Sequence, residues 1–214
     1  MQAEGQPRTV LYRFCQVVVA AIARVYFRHE SLGREYIPGN SGAVVATNHA
    51  SVLDPPLIGV DLKRPLFIMA KQSLHDLPLF GSFIRAMHSF PVRRGAGDRG
   101  AIRKAVEILQ SGNLVLLFLE GKRSRNGSLQ SPRPGIGKIV TEANCPVIPG
   151  YVHGSFQALG PGQWFPYPVK TWTRFGKPLQ FSFEQDESQS SREQYQQIAD
   201  RVMHQIHQLK SKGN

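Results

Sequence analysis

Cysteine is scarce in this chain of 214 residues, and so are metal-ligand patterns. Cys15 and Cys145 are the two cysteines, and they stand far apart without the spacing of a ligand pair. Neither a disulfide framework nor a zinc site is therefore indicated. The histidines also lack ligand spacing, so we predict no metal site. No repeat or linker divides the sequence, whose length suits one domain with a buried core.

Long apolar runs are also missing. The longest apolar segment covers residues 10–27, and Arg13, Gln16 and Arg24 interrupt it. A membrane-spanning helix needs about 20 mostly apolar residues, so we predict an amphipathic helix that lies at the membrane interface. The side chains expected to face the acyl chains are Val17, Val18, Val19, Ile22 and Phe27. A secretory signal and a first helix packed on its own core are the alternatives.

Acidic residues are fewer than basic ones. The chain has 15 Asp and Glu against 26 Lys and Arg, which gives a net charge of +11. Residues 81–138 carry eleven Lys and Arg against three acidic residues. Such a field attracts anions, whether nucleic acid, anionic lipid head groups or a phosphorylated substrate. Aromatic residues are not interleaved with these cations as a stacking platform would need. We therefore expect no nucleic-acid partner.

Short apolar runs alternate with amphipathic stretches along the chain. Strands are predicted at residues 42–47, 66–70, 89–92, 114–119, 146–151, 169–175 and 179–183. Helices are predicted at residues 10–27, 78–87, 98–110, 134–144 and 190–210, with another that begins at residue 54. This alternation indicates an α/β layered domain with a largely parallel mixed sheet flanked by helices. We assign residues 1–31 to the N-terminal helix segment and residues 32–214 to the domain.

Polar segments follow three of the predicted strands, at residues 48–54, 93–95 and 120–123. Ligands of α/β sheets gather at the carboxyl ends of the strands. We therefore expect these segments to share one cleft.

His49 follows a predicted strand and stands five residues before Asp54. An Asp at this spacing can hold one ring nitrogen, which leaves the other nitrogen as a general base. The sequence has no G-x-S-x-G nucleophile motif. If this His acts directly on a substrate hydroxyl, no enzyme nucleophile is needed, and that arrangement suits acyl transfer from a thioester to an alcohol. The alternative is that Asp54 only caps the following helix, with Pro55 at its first position.

A second polar cluster is FLEGKRS, at residues 118–124. Gly121 would let backbone amides approach a ligand, and Lys122 or Arg123 could pair with a phosphate. Lys71 follows another apolar strand and could point into the same cleft. A solvated surface turn is the alternative for each of these residues.

Gly95, Gly97 and Gly100 match the G-x-G-x-x-G pattern, and Glu120 follows at about the 20-residue distance of the dinucleotide-binding fingerprint. An NADP-dependent oxidoreductase is therefore the alternative from another enzyme class. Arg93 precedes the glycines where the strand should still be apolar, so we favour a basic loop.

Four blocks of the sequence, in order, resemble the lysophosphatidate (1-acylglycerol-3-phosphate) acyltransferase family. Residues 48–54 (NHASVLD) are similar to its N-H-x-x-x-x-D block and residues 118–124 to its F-P-E-G-T-R block. Residues 90–95 (FPVRRG) and 146–149 (PVIP) are similar to its second and fourth blocks. The resemblance covers residues 32–183.

This resemblance implies that His49 is the general base and Asp54 its orienting partner. It implies that the glycerol phosphate is bound by Lys71, Arg94, Glu120, Gly121 and Arg123. The acyl donor would be an acyl-CoA or an acyl carrier protein thioester, and the product phosphatidic acid. No metal or organic cofactor is implied. The N-terminal helix would dock on the cytoplasmic face of an anionic membrane, where its basic residues fit.

Some positions depart from the family pattern. Leu119 replaces the usual proline and Lys122 the usual threonine of the third block, while Arg93 stands where an acid is common in the second. The added cations suit an anionic acceptor. Another lysophospholipid or a lyso-aminolipid is the alternative acceptor.

Overall fold

A central sheet between two layers of helices organises the computed structural model, which describes residues 9–93, 98–181 and 190–212. The strands within these residues are β1 (Glu30–Leu32), β2 (Ala43–Thr47), β3 (Leu66–Lys71), β4 (Ser89–Val92), β5 (Leu114–Phe118), β6 (Val147–His153) and β7 (Trp172–Phe175).

The helices of the same residues are α1 (Val10–Tyr26), α2 (Asp54–Gly59), α3 (Gln72–His75), α4 (Phe80–Ala86), α5 (Arg99–Gln110), α6 (Gly135–Ala143), α7 (Ser155–Leu159) and α8 (Ser191–Ser211). A short 3₁₀ turn covers Arg34–Tyr36. The alternation of strands and helices confirms the predicted α/β class, with an N-terminal helix before the sheet.

The strand order is β1-β7-β6-β2-β5-β3-β4. Every neighbouring pair is parallel except β6 with β7, so the prediction of a largely parallel mixed sheet is confirmed. β2 lies in the middle of the sheet and all five of its residues are buried. Because β2 is parallel to both β5 and β6, the carboxyl ends of these three strands meet at one edge of the sheet.

Each face of the sheet has its own apolar core. α1 and α2 cover one face, where Ala20 and Ala23 pack with Leu57 and Ile58. α5, α6 and α8 cover the other face. The approach of α6 to α8 is so close that a Cβ added at Gly137 would lie 2.3 Å from a backbone oxygen.

α1 is fixed to the domain through one side and exposes the other. The Gln16 amide donates to the carbonyl oxygens of Gly59, Val60 and Leu62 at 2.9, 3.3 and 2.8 Å. The predicted orientation of the apolar side chains is wrong for Phe27, which is buried, and for Val19, which packs against the core. Val17, Val18 and Ile22 are exposed. Among the described residues, no helix has the length and apolar character needed to cross a membrane.

Two predicted strands near the end of the domain differ from the structure. The strand predicted at residues 169–175 begins only at Trp172. The strand predicted at residues 179–183 is wrong for its described part, because Leu179 makes a single isolated bridge with Val147. β1, α3 and α7 were not predicted, since elements of three to five residues carry too little periodicity to be recognised.

Candidate active site

Residues 48–53 form a loop that leaves the end of β2, and two neighbouring elements hold it. The Asn48 amide donates to the carbonyl of Val152 at 3.1 Å and accepts from the Val152 N–H at 2.8 Å. The Ser51 hydroxyl donates to the carbonyl of Leu159 at 2.6 Å. The loop is therefore tied to β6 and to α7, and its residues have little freedom to move.

Asp54 organises this loop from the first turn of α2. Its side chain is fully buried, and one oxygen, Oδ2, accepts from the N–H groups of Ala50 and Ser51 at 2.7 and 2.8 Å. The same oxygen accepts from Nδ1 of His49 at 2.8 Å. Three donors on one carboxylate oxygen fix both the backbone of the loop and the orientation of the imidazole.

Asp54 was expected as a possible helix cap, and this interpretation is wrong. Leu53 is the N-cap of α2, and Asp54 is already helical. The Asp54 carboxylate turns back toward the preceding loop, and its other oxygen, Oδ1, has no hydrogen bond with the described residues. The side chain therefore binds the His49 loop, and the start of α2 has no side-chain cap.

The His49 imidazole is held on its flat side as well as at Nδ1. It stacks on the ring of Phe118 with the centroids 3.7 Å apart and the planes 12° from parallel. The side chain retains 17% of its exposure. Among the described residues, none forms a hydrogen bond with Nε2. With Nδ1–H held by a carboxylate, Nε2 carries the lone pair of the neutral ring and is free to accept a proton.

The segment after β5 holds the backbone of His49. Glu120 Oε1 accepts from the His49 N–H at 3.3 Å, and the Ser124 N–H donates to the His49 carbonyl at 2.7 Å. The Leu119 N–H also donates to the carbonyl of Thr47 at 3.2 Å. His49 is therefore fixed at its ring and on both sides of its peptide backbone.

Glu120 is a buried carboxyl group beneath this loop, and only 2% of the residue is exposed. Burial raises its pKa from 4.5 to about 7, and the negative charge of Asp54 adds to the increase, while the hydrogen bond from His49 opposes it. Oε2 has no direct hydrogen-bond partner among the described residues, and the nearby Gln130 acts to lower the pKa of Glu120.

Two of the predicted phosphate binders, Glu120 and Gly121, make contacts within the protein. Glu120 Oε1 accepts from the His49 N–H, and the carboxyl group is shielded from solvent. The Gly121 N–H donates to the carbonyl of Phe118 at 3.0 Å, so this amide closes a turn. Gly121 has φ +68°, a conformation that favours glycine. The role of both residues in phosphate binding stays a prediction.

Cations surround the same edge of the sheet. Lys71 ends β3, and Lys122 and Arg123 follow β5; all three are exposed. The structure thus brings Lys71 and Arg123 to the edge at which His49 lies. Arg94, the remaining predicted phosphate binder, lies outside the described residues, as do Gly95 and Gly97.

Among the described residues, no nucleophilic side chain is paired with His49. None of their Ser, Thr or Cys side chains forms a hydrogen bond with its ring. Burial raises the pKa of the Cys145 thiol to about 11, so this thiol stays protonated at neutral pH. In this part of the chain, no group of three or more His, Cys, Asp and Glu is placed to hold a metal ion.

A cavity of about 400 Å³ is lined by residues of this loop, β6, α7 and α8. Asn48 and Ala50 line it, but His49 does not. His153, also in its wall, stacks on Trp172 with the centroids 5.0 Å apart.

Asn48, Phe118 and Ser124 support His49 but were not singled out from the sequence. Asn48 stands first in the NHASVLD block, so its position beside His49 was a usable signal. Phe118 ends an apolar run, and its ring reaches His49 only because β5 pairs with β2 so that Phe118 lies opposite Thr47. Ser124 acts through its backbone N–H, which leaves no mark in the sequence.

The chain is similar to known acyltransferases in sequence and in fold. The family model described as "Acyltransferase" matches residues 28–153, more than half of the chain. A 1-acyl-sn-glycerol-3-phosphate acyltransferase of Bacillus subtilis is 28% identical over 146 residues, which are 67% of this chain and 72% of the relative. The enzyme of the same name from Borreliella burgdorferi is 28% identical over 119 residues, 55% of this chain and 48% of that protein.

Among solved structures, the 1-acyl-sn-glycerophosphate (LPA) acyltransferase of Thermotoga maritima shares the fold. Its TM-score is 0.70 at 24% identity, with 93% of this chain and 81% of that chain covered. The oxidoreductase alternative finds no support in these comparisons.

Proposed function

Because the chain belongs to the acyltransferase family, we propose that it transfers a fatty acyl group from a thioester to the free hydroxyl of 1-acyl-sn-glycerol-3-phosphate. The product is phosphatidic acid. The names of the Bacillus and Borreliella relatives support this acceptor. The observation that carries the proposal is the 2.8 Å bond between His49 Nδ1 and Asp54 Oδ2, which leaves Nε2 free at the sheet edge.

The reaction needs one base and no covalent intermediate on the protein. His49 Nε2 removes the proton of the acceptor hydroxyl as the oxygen attacks the thioester carbonyl carbon. The tetrahedral intermediate then expels the thiolate, and the imidazolium returns the proton to sulfur. The Asp54 carboxylate stabilises the imidazolium that forms between these steps. A positioned general base typically accelerates a reaction by about 10² to 10⁴-fold.

The exposed cations support an anionic acceptor. Lys71 and Arg123 lie at the same sheet edge as His49, and we assign them, with Arg94, to the acceptor phosphate. The planar Arg side chain can pair two phosphate oxygens at once. Both proposed donors, acyl-CoA and acyl carrier protein, also carry phosphate groups that such a field attracts.

The substrate lipid places the reaction at a membrane, and the exposed side of α1 supports this location. Val10, Phe14, Val17 and Val25 are each more than 60% exposed, with the exposed Arg13 among them. Such a helix lies in the interface with its apolar side toward the acyl chains. We place it on the cytoplasmic leaflet, where anionic lipids attract basic residues.

The experiment that tests this function is a thioester-release assay with the purified protein. The donors are acyl-CoA and acyl carrier protein thioester, and the acceptors are lysophosphatidate, an uncharged-head-group lysophospholipid and a lyso-aminolipid. We expect fastest release with lysophosphatidate and phosphatidic acid as the product by mass spectrometry. Faster acylation of either other acceptor would contradict the assignment of the acceptor. Saturable binding of NADPH would favour the oxidoreductase.

A further inference from the structure

An exposed loop between α7 and β7 carries three aromatic side chains that the acyl-transfer mechanism does not use. In this aromatic loop, residues 160–168, Trp164 is 91% exposed, Phe165 81% and Tyr167 57%. Such exposure of large aromatic side chains marks an interaction surface, because it forgoes their burial in the core.

The backbone of the aromatic loop is fixed although its side chains are exposed. The Gln163 N–H donates to the carbonyl of Gly160 at 3.2 Å, and the Tyr167 N–H donates to the carbonyl of Ala158 in α7 at 2.8 Å. The sequence GPGQWFPYP also contains three prolines, which restrict the backbone further. The loop therefore presents Trp164 and Phe165 to solvent from a preformed turn.

The aromatic loop is joined to the exposed side of α1. The Tyr26 hydroxyl donates to the carbonyl of Pro166 at 2.9 Å, and Arg28 donates to the carbonyl of Pro168 at 3.2 Å. Val25, next to Tyr26, is 83% exposed. The loop thus lies at the carboxyl end of the apolar surface of α1, and the two form adjoining parts of one surface.

We propose that the aromatic loop is a second membrane anchor, which inserts Trp164 and Phe165 into the interfacial region of an anionic bilayer beside α1. The choice of a bilayer as the occupant rests on the proposed function, because the acceptor of that reaction is a membrane lipid. Trp and Tyr are enriched at membrane interfaces, where an amphipathic ring meets the head groups.

The charges around this surface also favour an anionic bilayer. Residues 10–26 and 160–168 contain no Asp or Glu. Two acidic residues of neighbouring segments are paired with cations, Glu30 with Lys170 at 2.8 Å and Asp61 with Arg24. Arg13 and Arg28 remain exposed. The surface is therefore apolar with positive charge at its margin, and such charge attracts anionic head groups.

Insertion of the aromatic loop would also bring the active site to the lipid. The loop continues directly from α7, whose Leu159 carbonyl accepts from the hydroxyl of Ser51 at 2.6 Å. Ser51 is two residues from His49 in the same rigid loop. An anchor at Trp164 thus sets the distance of the catalytic base from the membrane.

The fluorescence of Trp164 can report its insertion into a membrane. The chain has two tryptophans, and the Trp172→Phe variant leaves Trp164 as the sole tryptophan, whose fluorescence is excited selectively. The probe membranes are phosphatidylglycerol vesicles, with and without bromine on the acyl chains. We expect a blue shift of emission on unlabelled vesicles and quenching on brominated ones. Unshifted and unquenched emission from protein that co-sediments with the vesicles would overturn the proposal, and so would absence of co-sedimentation.

A pair of double variants measures what the aromatic side chains contribute. Trp164→Ala with Phe165→Ala should weaken vesicle partitioning by about tenfold or more, since a large aromatic side chain offers roughly 150–250 Å² for burial. The matched control, Trp164→Phe with Phe165→Leu, keeps large apolar side chains at both positions. Its vesicle partitioning should stay within about threefold of the wild type, because less apolar area is removed. Equal partitioning of the alanine variant and the wild type would overturn the anchor.

Activity on a short-chain, water-soluble lysophosphatidate separates this proposal from the proposed function. We expect the alanine variant to match the wild type on this substrate and to lose rate only on vesicle-borne substrate. Equal loss on both substrates would contradict a role in docking. Vesicle insertion by a wild-type protein that acylates no lysolipid would refute the proposed function and leave the anchor supported.

Discussion

The buried carboxyl of Glu120 gives the folded state a pH dependence that one substitution should remove. Its pKa is raised from 4.5 to about 7 by burial. Below about pH 4.5 the group is protonated in both the folded and the unfolded chain, so it contributes no penalty. Between about pH 4.5 and 7 the unfolded chain releases this proton while the folded chain keeps it, and stability falls as the pH rises.

The magnitude follows from the shift. Each pKa unit corresponds to about 1.4 kcal/mol, so the rise from 4.5 to about 7 corresponds to up to about 3 kcal/mol of lost stability above neutral pH. Glu120→Gln removes the ionisation and keeps an oxygen that can accept from the His49 N–H. Its amide nitrogen would occupy the position of the unpartnered Oε2, which adds a cost that does not change with pH.

The assay is urea denaturation of the wild type and Glu120→Gln at several pH values from about 4.5 to 8. We expect the stability of the variant relative to the wild type to rise by about 2–3 kcal/mol across this range. The matched control is Glu107→Gln, which changes an exposed carboxyl on α5 and should show no comparable trend. A difference between Glu120→Gln and the wild type that stays constant with pH would refute the reasoning.

Three further predictions follow from particular contacts. Asp54→Asn should lower kcat by about 10²-fold or more while the KM values change little, because the imidazolium loses its counter-charge; an unchanged kcat in steady-state kinetics would contradict this role. Arg123→Ala should raise the KM of lysophosphatidate but not of the acyl donor, and the exposed Arg125→Ala is its control; equal effects on both substrates would argue against a phosphate contact. Gly137→Ala should lower the free energy of unfolding by about 1–3 kcal/mol in urea, because the new Cβ would lie 2.3 Å from the Tyr195 carbonyl oxygen; an unchanged unfolding midpoint would refute the close α6–α8 approach.

The layered fold was predictable because its central strands carry a strong signal. The run at residues 114–118 is apolar throughout, as a strand covered on both faces must be. Short elements were not predicted because their sequences carry little periodic signal. β1 has three residues and alternates between exposed and half-buried positions, so it is recognisable only by its pairing with β7.

The prediction of the site was most successful where partners are close in sequence. The spacing of His49 and Asp54 predicted their contact, and the structure brings them together at 2.8 Å. The spacing did not predict that Oδ2 of Asp54 would also accept from two backbone N–H groups. Nor did the sequence reveal that Glu120 would be buried, because its burial depends on how the segment after β5 packs beneath a loop about 70 residues earlier.

The role of His49 as the catalytic base is tested most directly by His49→Ala in the thioester-release assay with lysophosphatidate as the acceptor. Circular dichroism and vesicle co-sedimentation serve as controls for folding and membrane binding. We predict a loss of turnover of about 10² to 10⁴-fold, with both controls unchanged. Turnover equal to that of the wild type would contradict the assignment of His49 and, with it, the proposed mechanism.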